Sequence, residues 1–545
     1  MLRSTILAFL VLVTAVTVGA QEPQLGRVEF PTSGSAQAQN HFLRGLAALH
    51  SFWYEEALEA FQESTKADPD FMMGYWGEAM ALNHPLWSEQ DIAAARLVVA
   101  KIKDTPKLSE RERAYLNAVK LLYGDGDKRA RDLAYSAAME KIYRAYPEDL
   151  DAASFYSLSL LGLMRNEDKG YRLQAKAGAI ALAVYEKNPN HPGAAHYIIH
   201  AFDDPDHAIL ALPAARRYAD IAPEAHHARH MPSHIFLQLG MWPEAAASNE
   251  SAWESSDNWM KRKKLSLSVR DYHSLHWLLY AYLQQGRYTK AEELLQLMKK
   301  VMSESTYDNK LRPDYYENNW ASMAAAFIVE TERWELAGQF FPESKPAQTA
   351  EQAPAGGGAH GTHGAAAPVD NTVRYPRASR NLPPFIRALS AAFRGTNTVE
   401  SVPTGIRELE VAAVKASISK DHAKAIELMK QAATLEEQMA PPLGPPILVK
   451  PSHELFGEIL LRAGKPAEAS AQFAVALLRQ PNRARSLLGS ARAAAQAGDR
   501  AGAAAAYGDE LRSAATEDSG CRDHDRGRRD ASATVRSRRA GAAAS

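Results

Sequence analysis

Residues 226–236, HHARHMPSHIF, place four histidines within nine positions, directly before a run of large apolar residues. They belong to a wider concentration. Ten of the eighteen histidines fall between 191 and 276, in HPGAAHYIIHAFDDPDH, HHARHMPSH and DYHSLH. Neutral imidazole is a common ligand for zinc, copper, nickel or iron, so three or four ring nitrogens in one pocket can hold such an ion without sulfur. Asp203, Asp204 and Asp206 could ligate directly or orient a ring through its second nitrogen. The pattern is no zinc-protease signature: HExxH is absent, and HELF at His453 lacks the second histidine. No carboxylate can be assigned to activate water. The competing reading is a structural network in which the rings bond to helix-end carbonyls and to tyrosines such as Tyr197.

The spacing says which rings can meet. His196 and His200 are one helical turn apart and share a face if AHYIIH is helical. On one unbroken helix His227, His230 and His234 would form a stripe, but Pro232 interrupts it, because a proline inside a helix clashes with the carbonyl four residues back. Proline is comfortable in a first turn. A new helix is therefore expected to begin at Met231 or Pro232 and run to Gly240, with His234 near its start and His230 just outside.

Such positioning requires a scaffold of helices, and the chain repeats one. GKPAEASAQFAVALLRQP carries Gly464, Ala469, Phe473, Ala476 and Pro481, the second half of a tetratricopeptide repeat. Glycine ends the first helix, alanine permits close approach, phenylalanine fills the space between helices, and proline breaks the second. Thirty-four residues on, Gly498, Ala503 and Tyr507 restart the pattern. Looser copies carry Ala57 and Phe61, Gly240 and Ala245, Gly286 and Ala291, and Trp334 and Ala337. Alternating β-branched runs are few and no Asn-Gly hairpin joins them. The expected fold is all-α, a TPR-like solenoid of stacked antiparallel helix pairs. Trp53, Tyr75, Trp76 and Trp87 sit at repeat positions and read as core, and KRKK at 261–264 as a solvated helix end.

The outline of the chain follows. Residues 1–20 have Arg3, an apolar stretch and small residues before Gln21, the pattern of a signal peptide; the stretch is short for a span, and no second one follows. The product is expected to be periplasmic or secreted, with no stable membrane insertion after cleavage. A helical array at 21–343, a Gly/Ala/Pro-rich disordered linker at 344–381, a second array at 382–515 and an arginine-rich tail at 516–545 complete the division. The linker's His360 and His363 read as solvated. The tail breaks the repeat abruptly, as a disordered extension or a shifted reading frame would; a basic tail for an acidic partner is the alternative. The only cysteine, Cys521, lies there, which excludes internal disulfides and a thiolate site. A net charge of −1 gives no field favouring nucleic acid. Phosphate loops, nucleophile elbows and dinucleotide fingerprints are absent.

FLRGLAALHSFWYEEALEAF, MGYWGEAMAL, SERERAYLNAVKLLY, HPGAAHYIIHAF and HARHMPSHIF together resemble a group of exported bacterial tetratricopeptide-repeat proteins over residues 35–340. The resemblance implies an α-solenoid and no settled reaction. By match to its motifs it implies His191, His196, His200, His227, His230 and His234 as the site positions; His207 and His226 fall outside the shared pattern, and ALNHPLW at His84 departs from it. Two functions follow. One is a scaffold binding a protein or peptide in a concave groove, with a histidine-lined pocket for zinc or copper. The other is a metal-dependent hydrolase or oxidase using His196, His200, His227, His230 and His234 as ligands around an open coordination position.

Overall fold

The computed structural model describes residues 24–164, 170–304, 315–342, 382–396, 402 and 404–513. The expected leader, linker and tail, with His360, His363 and Cys521, lie outside them. The described chain is all-α; the only strand pairing among the described residues joins Asn83–His84 to Glu89–Gln90. Most helices pack on the next and many also on the next but one, the contact pattern of stacked antiparallel pairs. The first helix, Ala36–His50, also meets Pro192–Ala201, so the array curls back on itself over that span. No helix among the described residues is long and apolar enough to cross a membrane.

The repeat has a physical signature at every copy. Gly240, Gly286, Gly464 and Gly498 have φ of +64°, +70°, +72° and +81°, the left-handed conformation that closes a helix, where glycine escapes the Cβ penalty. Each stands five residues before a buried alanine: Ala245, Ala291, Ala469 and Ala503. The same offset locates three further copies in which another residue takes the left-handed turn: Phe52 before Ala57, Glu332 before Ala337 and Lys420 before Ala425. The copy at Ala425 escaped the sequence pattern because lysine stands where glycine was the marker.

A second signature sets the spacing between pairs. Phe61 lies against Gly45 and Gly77, sixteen residues to either side, and Phe473 against Gly457 and Gly489 at the same offsets. A Cβ at Gly77 would come within 2.2 Å of the Phe61 ring, and one at Gly489 within 2.3 Å of Phe473. In both places one aromatic ring seals three successive helices.

The two arrays meet. Trp242 Nε1 donates to the Asn482 carbonyl (2.8 Å), and Arg483 donates to the Tyr280 hydroxyl (2.8 Å). The segment between helices His422–Glu437 and Ser452–Arg462 also crosses to the first array. There Gln238 donates to the Pro442 carbonyl (3.0 Å), and Gly444 lies so close to Trp277 that a Cβ would meet the ring at 2.4 Å.

Candidate metal centre

Four helices supply the histidines. Pro192–Ala201 begins with proline in its first turn, and His191 caps it by accepting the Ala194 N–H at Nδ1 (3.1 Å). His196 and His200 then lie one turn apart on the same face. His226–His230 and Pro232–Gln238 follow one another through Met231, which keeps helical dihedrals (φ −54°, ψ −35°) and donates to the His227 carbonyl. Pro232 does open a helix, as expected. His230, however, closes the preceding helical turn instead of lying outside helix, so His230 and His234 still meet, edge to face at 5.0 Å between ring centres. Tyr272–Gln284 adds His273.

Among the described residues, three groups of potential ligands form, each with its ligand atoms within 4.8 Å of one another: His196, His200 and His227; His230, His234 and His273; and His50, Asp151 and His191. Five of the six positions singled out from sequence thus fall into the two histidine trios. His191 does not join them. Its Nε2 faces Asp151 (3.3 Å), which also bonds to His50 Nε2 (2.9 Å), while His50 Nδ1 bonds to Tyr197 OH (2.9 Å). His273 and His50 were not singled out, although His273 lies in the DYHSLH stretch. His226 bonds to Asp271 (3.2 Å), His207 to Asp204 (2.8 Å), and His84 stacks on Tyr54 at 3.9 Å between ring centres. His453 bonds to Gln472 and belongs to neither trio.

The hydrogen bonds determine which nitrogens are left for a ligand. His196 Nδ1 donates to the His50 carbonyl at 2.7 Å, leaving its Nε2 lone pair toward His200 Nε2, 3.0 Å away. Gly193 makes room for the His50 ring, because a Cβ there would strike its Nδ1 at 2.4 Å. His234 Nδ1 donates to the Asp203 carboxylate (2.7 Å). His230 Nδ1 donates to Asn249 Oδ1 (2.6 Å), since the amide nitrogen of Asn249 is taken by the Ala245 carbonyl (2.8 Å). Both Nε2 atoms of His230 and His234 therefore carry lone pairs as neutral rings, and they face each other at 3.1 Å. Two lone pairs at that distance repel unless a cation lies between them. Nitrogens bound to a tetrahedral ion at 2.0–2.1 Å would stand roughly 3.3 Å apart, close to this spacing. In the other trio, His227 Nε2 is buried with no hydrogen-bond partner.

The surroundings keep three of these rings neutral. Burial pushes His196 down to about 3, and burial with neighbouring imidazoles takes His227 and His230 well below the ordinary histidine value. Neutral rings can ligate without first losing a proton. Aromatic walls close the pocket: Trp277 lies 4.2 Å from His234 and 5.0 Å from His230 between ring centres, Tyr218 stacks on His196 at 5.3 Å, and Phe52 lies 4.3 Å from His196. Phe52 is the residue with φ +53° at a glycine position of the repeat, a costly conformation for a bulky side chain. Its strained turn delivers the ring to the histidines.

No protein-family model and no curated protein matches the chain. Among solved structures, the P58(IPK) TPR domain aligns at 13% identity and TM-score 0.21, covering 92% of this chain and 99% of that one. Yeast Tom70 aligns at 10% identity and TM-score 0.23, covering 92% and 90%. The Naa15/Naa10 complex bound to HypK-THB aligns at 13% and 0.22, covering 89% of this chain and 64% of its own. At these TM-scores the likenesses carry no weight, and the solenoid stands on this chain's own helix stacking and repeat offsets.

Proposed function

We propose that this chain is an exported helical-repeat scaffold whose histidine pocket binds a transition metal, zinc or copper, and whose stacked helices offer a surface to a protein or peptide partner. One observation carries the metal half. His230 and His234 turn bare Nε2 atoms toward each other at 3.1 Å while Asn249 and Asp203 hold the opposite ring nitrogens. Outer hydrogen bonds of this kind fix the tautomer and aim of metal-ligating histidines. The partner half rests on the general property of α-solenoids, which present extended surfaces built from many short elements. Three nitrogens per trio leave a coordination position open, which keeps metal-dependent hydrolysis or oxidation within the same reading.

A second occupant of the gap has its own support. Asp203 can balance a proton on His234, whose Nε2–H would then donate to His230. Elemental analysis of the purified full chain separates the two. Stoichiometric zinc or copper, lost in the His230→Ala/His234→Ala variant, is the expected result. A metal-free protein even after incubation with each ion would leave a proton-bridged pair in a plain scaffold.

A further inference from the structure

We infer that the two histidine trios hold a pair of copper(I) ions side by side as one dinuclear centre. This rests on the metal reading above and goes beyond it in number and identity. Six imidazoles are more than one ion of this kind takes, since zinc and its neighbours settle at four ligands in such sites. The six divide instead into two sets of three, each with its ligand atoms within 4.8 Å of one another. The sets are adjacent: His200 and His234 stand 5.9 Å apart between ring centres, and His227 and His230 6.0 Å. Two ions held by sets so placed would be neighbours, as in two-metal sites.

Charge and coordination point to copper(I). No carboxylate belongs to either histidine trio. The acidic groups nearest the rings are Asp203, on His234 Nδ1, and Asp271, on His226. Asp151 lies one ring further out, taken up by His50 and His191. Two monovalent ions match the two nearer carboxylates. Two zinc ions would leave two positive charges uncompensated within aromatic walls, a costly burial. Three-coordination by neutral nitrogens is open to a monovalent d10 ion such as copper(I), whereas zinc settles at four ligands.

Anaerobic titration of the metal-stripped full chain with copper(I), against a chromophoric copper(I) chelator, counts the ions held. Two per chain are expected, with a copper–copper distance visible in X-ray absorption. His227→Ala and His273→Ala, one from each trio, are each expected to halve the count, with far-UV circular dichroism confirming the fold; the wild-type count decides the matter if either variant misfolds. One ion per chain would overturn the pair and leave the single-metal reading standing. Two zinc ions retained in a parallel titration, with copper(I) yielded to the chelator, would overturn the choice of ion. No bound ion of either kind would remove the metal reading itself.

Discussion

Two of the places where this protein buries polarity are built on opposite terms. In the second array, Arg483 is fully enclosed and reaches Glu454 (2.7 Å), Glu330 (2.6 Å) and the Tyr280 hydroxyl (2.8 Å). Lys450 bonds to Glu454 (3.1 Å) and Glu458 (2.6 Å), and Ser486 adds a donor to Glu454 (2.7 Å). Burial alone would push Glu454 up, but Arg483 and Lys450 hold it well below the usual carboxylate range. Donors there meet acceptors, and each buried cation faces two carboxylates. In the histidine pocket burial keeps His196, His227 and His230 neutral, and the Nε2 atoms that His230 and His234 turn toward each other are both acceptors when the two rings are neutral. A closed network holds a structure together; a site with lone pairs aimed at a common gap is built to hold something else.

The largest effect should come from opening the closed network. Arg483→Ala leaves Glu454 and Glu330 buried beside Lys450 with too few donors, and losing one partner of a buried ion pair costs about 3–5 kcal/mol. Because Arg483 also bonds to Tyr280 in the first array, denaturant unfolding should show the second array parting from the first at lower concentration. Metal content measured under native conditions should stay as in the wild type. A variant as stable as the parent would mean that the two buried centres are not different in kind.

The next effect is in affinity. Asp203 accepts two donors, His234 Nδ1 (2.7 Å) and Gln238 Nε2 (3.2 Å). An amide has one acceptor oxygen, so Asp203→Asn can serve only one of them. Loss of such an outer partner weakens metal binding by about 10–100-fold, which competition against a chelator would read directly. The same substitution discriminates the occupants. If a proton on His234 fills the gap, Asp203→Asn also removes its counter-charge, and metal-free protein loses more than the cost of one unpaired buried donor, about 1–3 kcal/mol; if a metal fills it, the loss in metal-free protein stays within that range.

The comparison also shows what a linear sequence can disclose. The repeat was legible because its demands are local: glycine at a left-handed turn, and alanine five residues on where helices touch. The copy at Ala425 was hidden because Lys420 accepts the left-handed turn without glycine. His196 with His200, and His230 with His234, were legible as one-turn pairs. His191 shares a motif with the first pair, yet its place at the helix cap turns its ring toward Asp151. His273 joins the pocket only because Tyr272–Gln284 packs back on Trp242–Lys263, and the carbonyl that aims His196 belongs to His50, 146 residues away in sequence. The closed network was invisible for the same reason: Arg483 and Glu330 stand on either side of the linker, and only the meeting of the arrays pairs them.

The smallest effect tests the comparison at one equivalent backbone position in each region. Phe52 and Lys420 have φ of +53° and +65° where other copies carry glycine, and the left-handed region costs an ordinary residue about 1–2 kcal/mol. Lys420 is exposed, so Lys420→Gly should relieve that cost, and the greater freedom of glycine in the unfolded chain takes back part of it. A net gain of about 0.5–1 kcal/mol is expected in thermal or denaturant unfolding, with metal binding unchanged. Phe52→Gly relieves the same backbone strain but removes the ring that lies 4.3 Å from His196 and 5.7 Å from His227. Water admitted there would hydrate the imidazoles and loosen their aim, so metal affinity should fall in this variant alone. Equal behaviour of the two substitutions would mean that Phe52 is only a turn residue, and that the strain stored at position 52 serves the helix pair and not the pocket.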